Sequence, residues 1–138
     1  RDIQDEVIIK GQKLFVDIGC ENCHTSTYTT GVHPHHPELS NRIIKPYSDF
    51  LLHDMGSGLD DGLPEGEAKS YEWKTPPLWG IGLVKIVNKH TRFLHDGRAK
   101  SIEEAILWHD GEALKAKKNY TSLSIKDRKN ILRFLNSL

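Results

Sequence analysis

The sequence has no net charge, no long apolar run and very little sulfur. Its 19 basic residues balance its 19 acidic residues, so the bulk charge does not favour nucleic acid as a partner. No apolar stretch approaches the roughly 20 residues that a transmembrane helix needs, so we expect no membrane span. The opening residues, Arg1 to Asp5, contain neither an initiator Met nor the apolar segment of a signal peptide. We therefore expect a mature chain or a piece of a longer one.

The two cysteines lie together in one short motif, Cys20-Glu21-Asn22-Cys23-His24. Cys-x-x-Cys-His is the attachment signature of c-type haem. Thiols at this spacing add across the two haem vinyl groups, and the adjacent His is held against the iron as the proximal ligand. We therefore predict one covalently bound haem c, attached through Cys20 and Cys23 and ligated by His24.

Other cysteine chemistries need more than this chain offers. A structural zinc site needs four ligands, and only the clustered His33, His35 and His36 are available to complete one. A thioredoxin-type dithiol expects a βαβ pattern, which the sequence lacks. A plain disulfide stays open, although it would not require a histidine directly after the second cysteine.

The remaining pattern is helical, with long polar or glycine-rich loops. Apolar residues from Val7 to Ile18 recur at helical spacing, and this helix should end near Gly19. Ser101 and Glu104 form a capping box. Ser124 begins a second capped helix, whose apolar stripe comprises Ile125, Ile131, Leu132, Leu135 and Leu138.

A bound haem also explains why loops this long occur in a compact chain. No hairpin signal or internal repeat competes with the helical pattern, and 138 residues fit one domain. We therefore predict an all-α, cytochrome c-like fold over residues 1–138, with several helices and long loops wrapped around one covalently attached haem. The terminal helices should pack together, with Gly11 permitting a close approach and Phe15 filling the contact.

Pattern alone leaves several candidates for the second ligand of the iron. Electron-transfer haems usually take Met or His at this position, and Met55 is the only methionine. His109 is the stronger candidate, because it continues the apolar face formed by Ile102, Ala105 and Ile106. His53, His90 and His95 remain alternatives, whereas the His33 to His36 cluster should be an exposed loop.

Several segments of the chain resemble a known family. The chain resembles the C-terminal haem domain of bacterial dihaem cytochrome c peroxidases and MauG-type enzymes, and is most similar to dihaem oxidoreductases often called thiol-oxidoreductase-like. The haem motif is common to all c-type cytochromes, whereas "FLHDG…SIEEA" is far more specific. The segments are GQKLF (11–15), CENCH (20–24), YSDFLLHDMG (47–56), WKTPPLWG (73–80) and HTRFLHDGRAKSIEEAILWHDGEA (90–113).

The resemblance implies roles for several residues. Counting from the His95-Asp96-Gly97 turn by the family pattern lands on His109 as distal ligand, where the peroxidases have Met. Met55, in the family's "LLHDMG" segment, is the alternative. His95 is similar to a turn histidine that reaches a haem propionate, and Arg92 and Arg98 are further candidates for propionate contact. Trp79 and Trp108 are expected to pack on the haem edge or in the core.

These observations predict a monohaem c-type cytochrome domain for single-electron transfer. By resemblance, it would be the C-terminal electron-transfer domain of a larger dihaem oxidoreductase, with little catalysis of its own. A free-standing small electron carrier and a peroxidase-like enzyme with a labile distal ligand are the alternatives. The expected partner is a redox protein or a second haem domain. Because haem c is attached outside the bacterial cytoplasm, we expect a periplasmic location.

Overall fold

The computed structural model describes residues 5–138. Residues 1–4, on which the expectation of a mature start depends, lie outside the described residues. Within 5–138 the chain forms five α-helices: α1 (Glu6–Asp17), α2 (Val84–Asn88), α3 (Ile102–Trp108), α4 (Leu114–Ser122) and α5 (Ile125–Leu135). None of them is long and apolar enough to cross a membrane.

The core is built where α1 crosses α5. A Cβ added at Gly11 would lie 2.1 Å from the carbonyl oxygen of Asn130, so only glycine lets the two backbones approach this closely. Phe15 meets Phe134 edge to face, with ring centres 5.5 Å apart. The predicted terminal helix contact is therefore confirmed. The buried cluster around it comprises Ile8, Phe15, Ile18, Tyr47, Ile102, Tyr120, Ile131, Phe134 and Leu135.

The predicted helix ends are also confirmed. Gly19 follows α1 in the left-handed conformation, with φ of 94°. Ser101 and Ser124 cap α3 and α5, each accepting a hydrogen bond from the amide three residues later. The carboxylate of Glu104 reaches the amide of Lys100 at 2.7 Å, whereas a standard capping box would direct it to Ser101.

The all-α prediction is wrong, because the loops contain two small antiparallel sheets. β1 (Tyr28–Thr29) pairs with β2 (Ile43–Ile44), and β3 (Leu52–Asp54) pairs with β4 (Glu72–Lys74). The fold is therefore mixed, with helices and short strands. Strands this short show no readable alternation, and long loops join each pair instead of the two-residue turns that mark a hairpin.

Two helices were missed by the sequence prediction. α4 is rich in lysine, yet its Tyr120 is fully buried. The hydroxyl of Tyr120 donates to the Glu103 carboxylate of α3 at 3.0 Å. α2 is a single short helix with no buried residue. Neither carries the sustained apolar periodicity on which the helix predictions relied.

Candidate haem site

Cys20 begins a tight turn directly after α1, and Cys23 is the first residue after that turn. A short 3-10 helix covers Cys20–Asn22, and the amide of His24 donates to the Cys20 carbonyl at 3.0 Å. Both cysteines are free thiols. Burial raises the pKa of Cys20 to about 12, and burial together with the carboxylates of Asp49 and Glu112 raises that of Cys23. Both side chains are therefore neutral thiols, available for covalent attachment.

His24 is held by the residues that follow the first sheet. Its Nδ1 lies 2.9 Å from the carbonyl oxygen of Tyr47. Because a carbonyl only accepts, Nδ1 carries the proton and Nε2 keeps its lone pair. Burial lowers the pKa of His24 to about 4, against the opposing effect of the hydrogen bond to Tyr47. The ring is therefore neutral, which is the form that binds a metal.

His109 has the same arrangement on another element. It stands at the C-terminal end of α3, one residue beyond the helix, and its Nδ1 lies 2.7 Å from the carbonyl oxygen of Ala105. Nδ1 therefore donates, and Nε2 is again the nitrogen with the lone pair. Burial lowers the pKa of His109. The carbonyl one turn earlier fixes both the tautomer and the orientation of the ring.

The two rings are spaced as one metal ion between them would require. Their centres lie 6.4 Å apart, with 46° between the ring planes. A metal bound at about 2 Å by each Nε2, with each ring centre about 1 Å beyond its nitrogen, gives a separation of roughly 6 Å. Within residues 5–138, no hydrogen bond occupies Nε2 of His24 or of His109. The donor set therefore fits a haem iron held by two imidazoles.

A charged bridge lies beside this pair. His53 in β3 places Nε2 2.7 Å from Asp49 Oδ2 and Nδ1 2.8 Å from Glu112 Oε2. Burial alone would lower the pKa of His53, but the hydrogen bonds to Glu112 and Asp49 outweigh it and raise the pKa. We call these three residues the Asp49–His53–Glu112 bridge. Because both of its ring nitrogens are engaged by carboxylates, His53 is a poor candidate for the iron.

The same region contains a cluster of possible metal ligands. Among the described residues, one atom each of Cys23, Asp49 and His53 lies within 4.8 Å of the others. The carboxylates already occupy both nitrogens of His53, and Cys23 belongs to the haem motif. The cluster is therefore better explained as the surroundings of the motif than as a separate zinc site.

Arg98 and His95, the residues expected near the haem propionates, each contact a tryptophan ring. Arg98 places its guanidinium carbon 4.8 Å from the ring centre of Trp108, the residue before His109. Its Nε donates to Asp96 at 2.6 Å. His95 stacks on Trp73, with ring centres 3.5 Å apart and 5° between the planes. Propionate contact by His95 or Arg98 stays a prediction.

The other candidates are less directly connected to the pair. Met55 is half-buried just after β3, where its amide donates to Tyr71 at 2.9 Å. Trp79 is 52% exposed, and within residues 5–138 no ring contact joins it to either histidine of the pair. His90 is exposed, and its Nδ1 accepts from the amide of Arg92. The His33 to His36 loop is exposed, as predicted.

Sequence reasoning missed two residues of this site. Neither Asp49 nor Glu112 belongs to the predicted ligand set, in which His53 is only an alternative iron ligand. Asp49 lies four residues before His53, whereas Glu112 lies 59 residues after it. A spacing of four indicates a contact only inside a helix, and no local signal connects β3 with the segment after His109.

Residues 1–138 match the model of a family described as "Di-haem oxidoreductase, putative peroxidase". The chain belongs to this family. The resemblance to the dihaem peroxidase superfamily is thereby confirmed, and a haem-associated redox function follows from membership. A search of curated proteins and a search of solved structures each found no match.

The di-haem family name contrasts with the cysteine content of this chain. Its sequence has two cysteines, and both belong to the single Cys-x-x-Cys-His motif. Covalent attachment of a c-type haem by this signature uses both of them. The two cysteines of this chain therefore suffice for at most one attachment site of this kind.

Proposed function

We propose that this chain is a monohaem c-type cytochrome domain that transfers single electrons within a di-haem oxidoreductase. It would carry one haem c, attached through Cys20 and Cys23. The observation that carries the proposal is the His24–His109 pair, with ring centres 6.4 Å apart. Both rings are neutral and are fixed in the tautomer that leaves Nε2 for a metal.

In this proposal, His24 and His109 would be the two protein ligands of the haem iron. A bound haem supplies one-electron redox chemistry. The protein positions the two imidazoles, through the Tyr47 carbonyl for His24 and the Ala105 carbonyl for His109. Two protein ligands leave no position for peroxide, so little catalysis is expected from the domain alone. Methionine ligation raises the reduction potential of a haem. With a second imidazole in place of Met, we therefore expect a lower reduction potential.

The proposal includes a partner and a location. A di-haem family and a chain with one haem motif together favour a second haem domain, or another redox protein, as the electron partner. Because covalent haem c is installed outside the bacterial cytoplasm, the proposed location is the periplasm. A free-standing electron carrier would have the same ligands and differ only in its partner.

Production with a c-type haem maturation system tests the proposal. Intact mass should show one haem bound covalently to wild type and none after Cys20→Ser together with Cys23→Ser. His36→Ala, in the exposed loop, is the matched control and should load like wild type. The oxidised protein should be low-spin and inactive toward hydrogen peroxide. Steady peroxide turnover by a high-spin protein would instead support a peroxidase-like enzyme.

A further inference from the structure

The Asp49–His53–Glu112 bridge is a polar connection between the residues around His24 and the residues that follow His109. It joins the loop that follows Tyr47, whose carbonyl holds His24, to the turn that follows His109. The His53 side chain is 15% exposed and the Asp49 side chain is 10% exposed. Contacts shielded to this degree are screened far less by water and salt than surface ion pairs.

On the proximal side, residues 47–49 are tied directly to the haem motif. The amide of Asp49 donates to the Cys23 carbonyl at 2.7 Å, and the amide of Ser48 donates to the Thr25 carbonyl at 3.0 Å. Together with the bond from His24 to Tyr47, these contacts enclose the motif from Cys23 to Thr25. Asp49 then extends its carboxylate to His53.

On the distal side, the turn after His109 is pressed against β3. Glu112 accepts from His53 through Oε2, and from the amide of Asp54 through Oε1 at 3.0 Å. A Cβ added at Gly111 would lie 2.3 Å from the Asp54 carbonyl oxygen. A Cβ added at Gly56 would lie 2.9 Å from Cβ of Asp110. Gly56 and Gly111 therefore permit the close approach of this turn to β3, and the hydrogen bonds of Glu112 stabilise it.

The bridge thus closes a path from one histidine to the other. The path runs from His24 through Tyr47 and Asp49 to His53, and from there through Glu112 to His109. A metal site needs its ligands held within about 0.5 Å of the productive geometry. α3 is a short helix that ends just before His109, so the turn after His109 needs support from another element.

We propose that His53 is a positioning residue, which holds the distal segment at the distance from the proximal segment that iron ligation by both histidines requires. This inference rests on the proposed function, because it presupposes that His24 and His109 are the ligands. His53 acts through Asp49 and Glu112 and does not itself touch the iron. It is therefore distinct from the earlier possibility that His53 is a ligand.

The test uses the haem-loaded chain with four variants. His53→Leu and Glu112→Ala each break the bridge. His36→Leu is the matched control, because His36 forms a comparable pair with Glu38 at 3.0 Å in an exposed loop. His109→Ala defines complete loss of the distal ligand. The readouts are the high-spin fraction of the oxidised protein and the affinity of the reduced protein for carbon monoxide.

We expect His53→Leu and Glu112→Ala to raise the affinity for carbon monoxide by about tenfold or more. Both should also raise the high-spin fraction, and His36→Leu should leave both readouts unchanged. Because the Glu112 side chain is 54% exposed, Glu112→Ala should fold even if His53→Leu does not. Thermal unfolding, measured on every variant, identifies a folding failure.

The outcomes separate this inference from the proposed function. If His109→Ala abolishes the low-spin signal but Glu112→Ala behaves like wild type, the bridge does not position the ligand and the proposed ligation stands. If His109→Ala leaves the low-spin signal intact, the proposed ligation is wrong and the inference fails with it. An equal change in His36→Leu would also overturn the inference, because the effect would not depend on the bridge.

Discussion

The contact between α1 and α5 and the region around His24 and His109 are held together in different ways. In the helix contact, Phe15 and Phe134 are buried and meet edge to face, and Gly11 allows the backbones to touch. Around the two histidines, the close contacts are hydrogen bonds that backbone carbonyls and carboxylates accept from histidine rings. Apolar burial is the larger source of stability, whereas directed hydrogen bonds fix orientation. Mutations should therefore separate stability from ligand geometry.

The largest expected loss of stability comes from filling the helix contact. Gly11→Ala would place a Cβ 2.1 Å from the Asn130 carbonyl oxygen, which forces two backbones apart. Such overpacking costs up to about 3 kcal/mol, and the better helix propensity of Ala returns about 1 kcal/mol. We expect a net loss of about 2 kcal/mol in the free energy of unfolding, measured by urea denaturation.

Val16→Ala is the control for this substitution, because Val16 lies on the same helix and is 45% exposed. It should change the free energy of unfolding by only about 0.5 kcal/mol. If Gly11→Ala is as stable as Val16→Ala, the helix contact is looser than its geometry indicates. The contact between α1 and α5 would then not be the main source of stability in this comparison.

A smaller loss of stability is expected from removing the helix caps, one of which lies in each region. Ser101 caps α3, which leads to His109, and Ser124 caps α5 of the helix contact. Ser101→Ala and Ser124→Ala each remove a side-chain bond to the amide three residues later. Each should lower the free energy of unfolding by about 1 kcal/mol. Because α3 leads into His109, only Ser101→Ala should also change the reduction potential of the haem-loaded protein. Equal shifts in both variants, measured by redox titration, would contradict this division.

The smallest effect is expected from the pH dependence of the Asp49–His53–Glu112 bridge. The hydrogen bond from His53 holds the pKa of Glu112 below its ordinary value of 4.5. A carboxyl group with a lowered folded pKa stabilises the protein above its unfolded pKa and loses this contribution as the pH falls through the folded value. The difference in stability between wild type and Glu112→Ala should therefore be present near about pH 6 and disappear in acid.

Glu38→Ala is the control for the pH experiment, because Glu38 pairs with His36 in the exposed loop. Both variants are compared with wild type by denaturation at several pH values. A difference for Glu112→Ala that keeps growing as the pH falls below 4.5, the ordinary pKa of this carboxyl group, would have the wrong sign for a carboxylate stabilised by His53.

Local signals predicted the helix contact well. The spacing of apolar residues and the serine caps gave α1, α3 and α5, and Gly11 predicted the close crossing. The motif Cys20 to His24 indicates its chemistry through spacing alone. His109 was singled out by its helical face, although the structure places it one residue beyond the helix.

Long-range pairing could not be predicted in the same way. β3 and β4 pair across a long loop, and Glu112 meets His53 from the far side of the sequence. Neither contact has a local sequence pattern, because each forms only after the helices have packed and placed the loops next to one another. Tyr120 was missed for a related reason, since a charged, weakly periodic helix conceals one fully buried ring.

The identity of the distal ligand is tested most directly by spectroscopy of the oxidised, haem-loaded protein. Magnetic circular dichroism and absorption would be recorded for wild type, His109→Ala and Met55→Ala. The account predicts that the low-spin signal is lost in His109→Ala and kept in Met55→Ala. Loss of that signal in Met55→Ala alone, or its survival in both variants, would contradict ligation by His109.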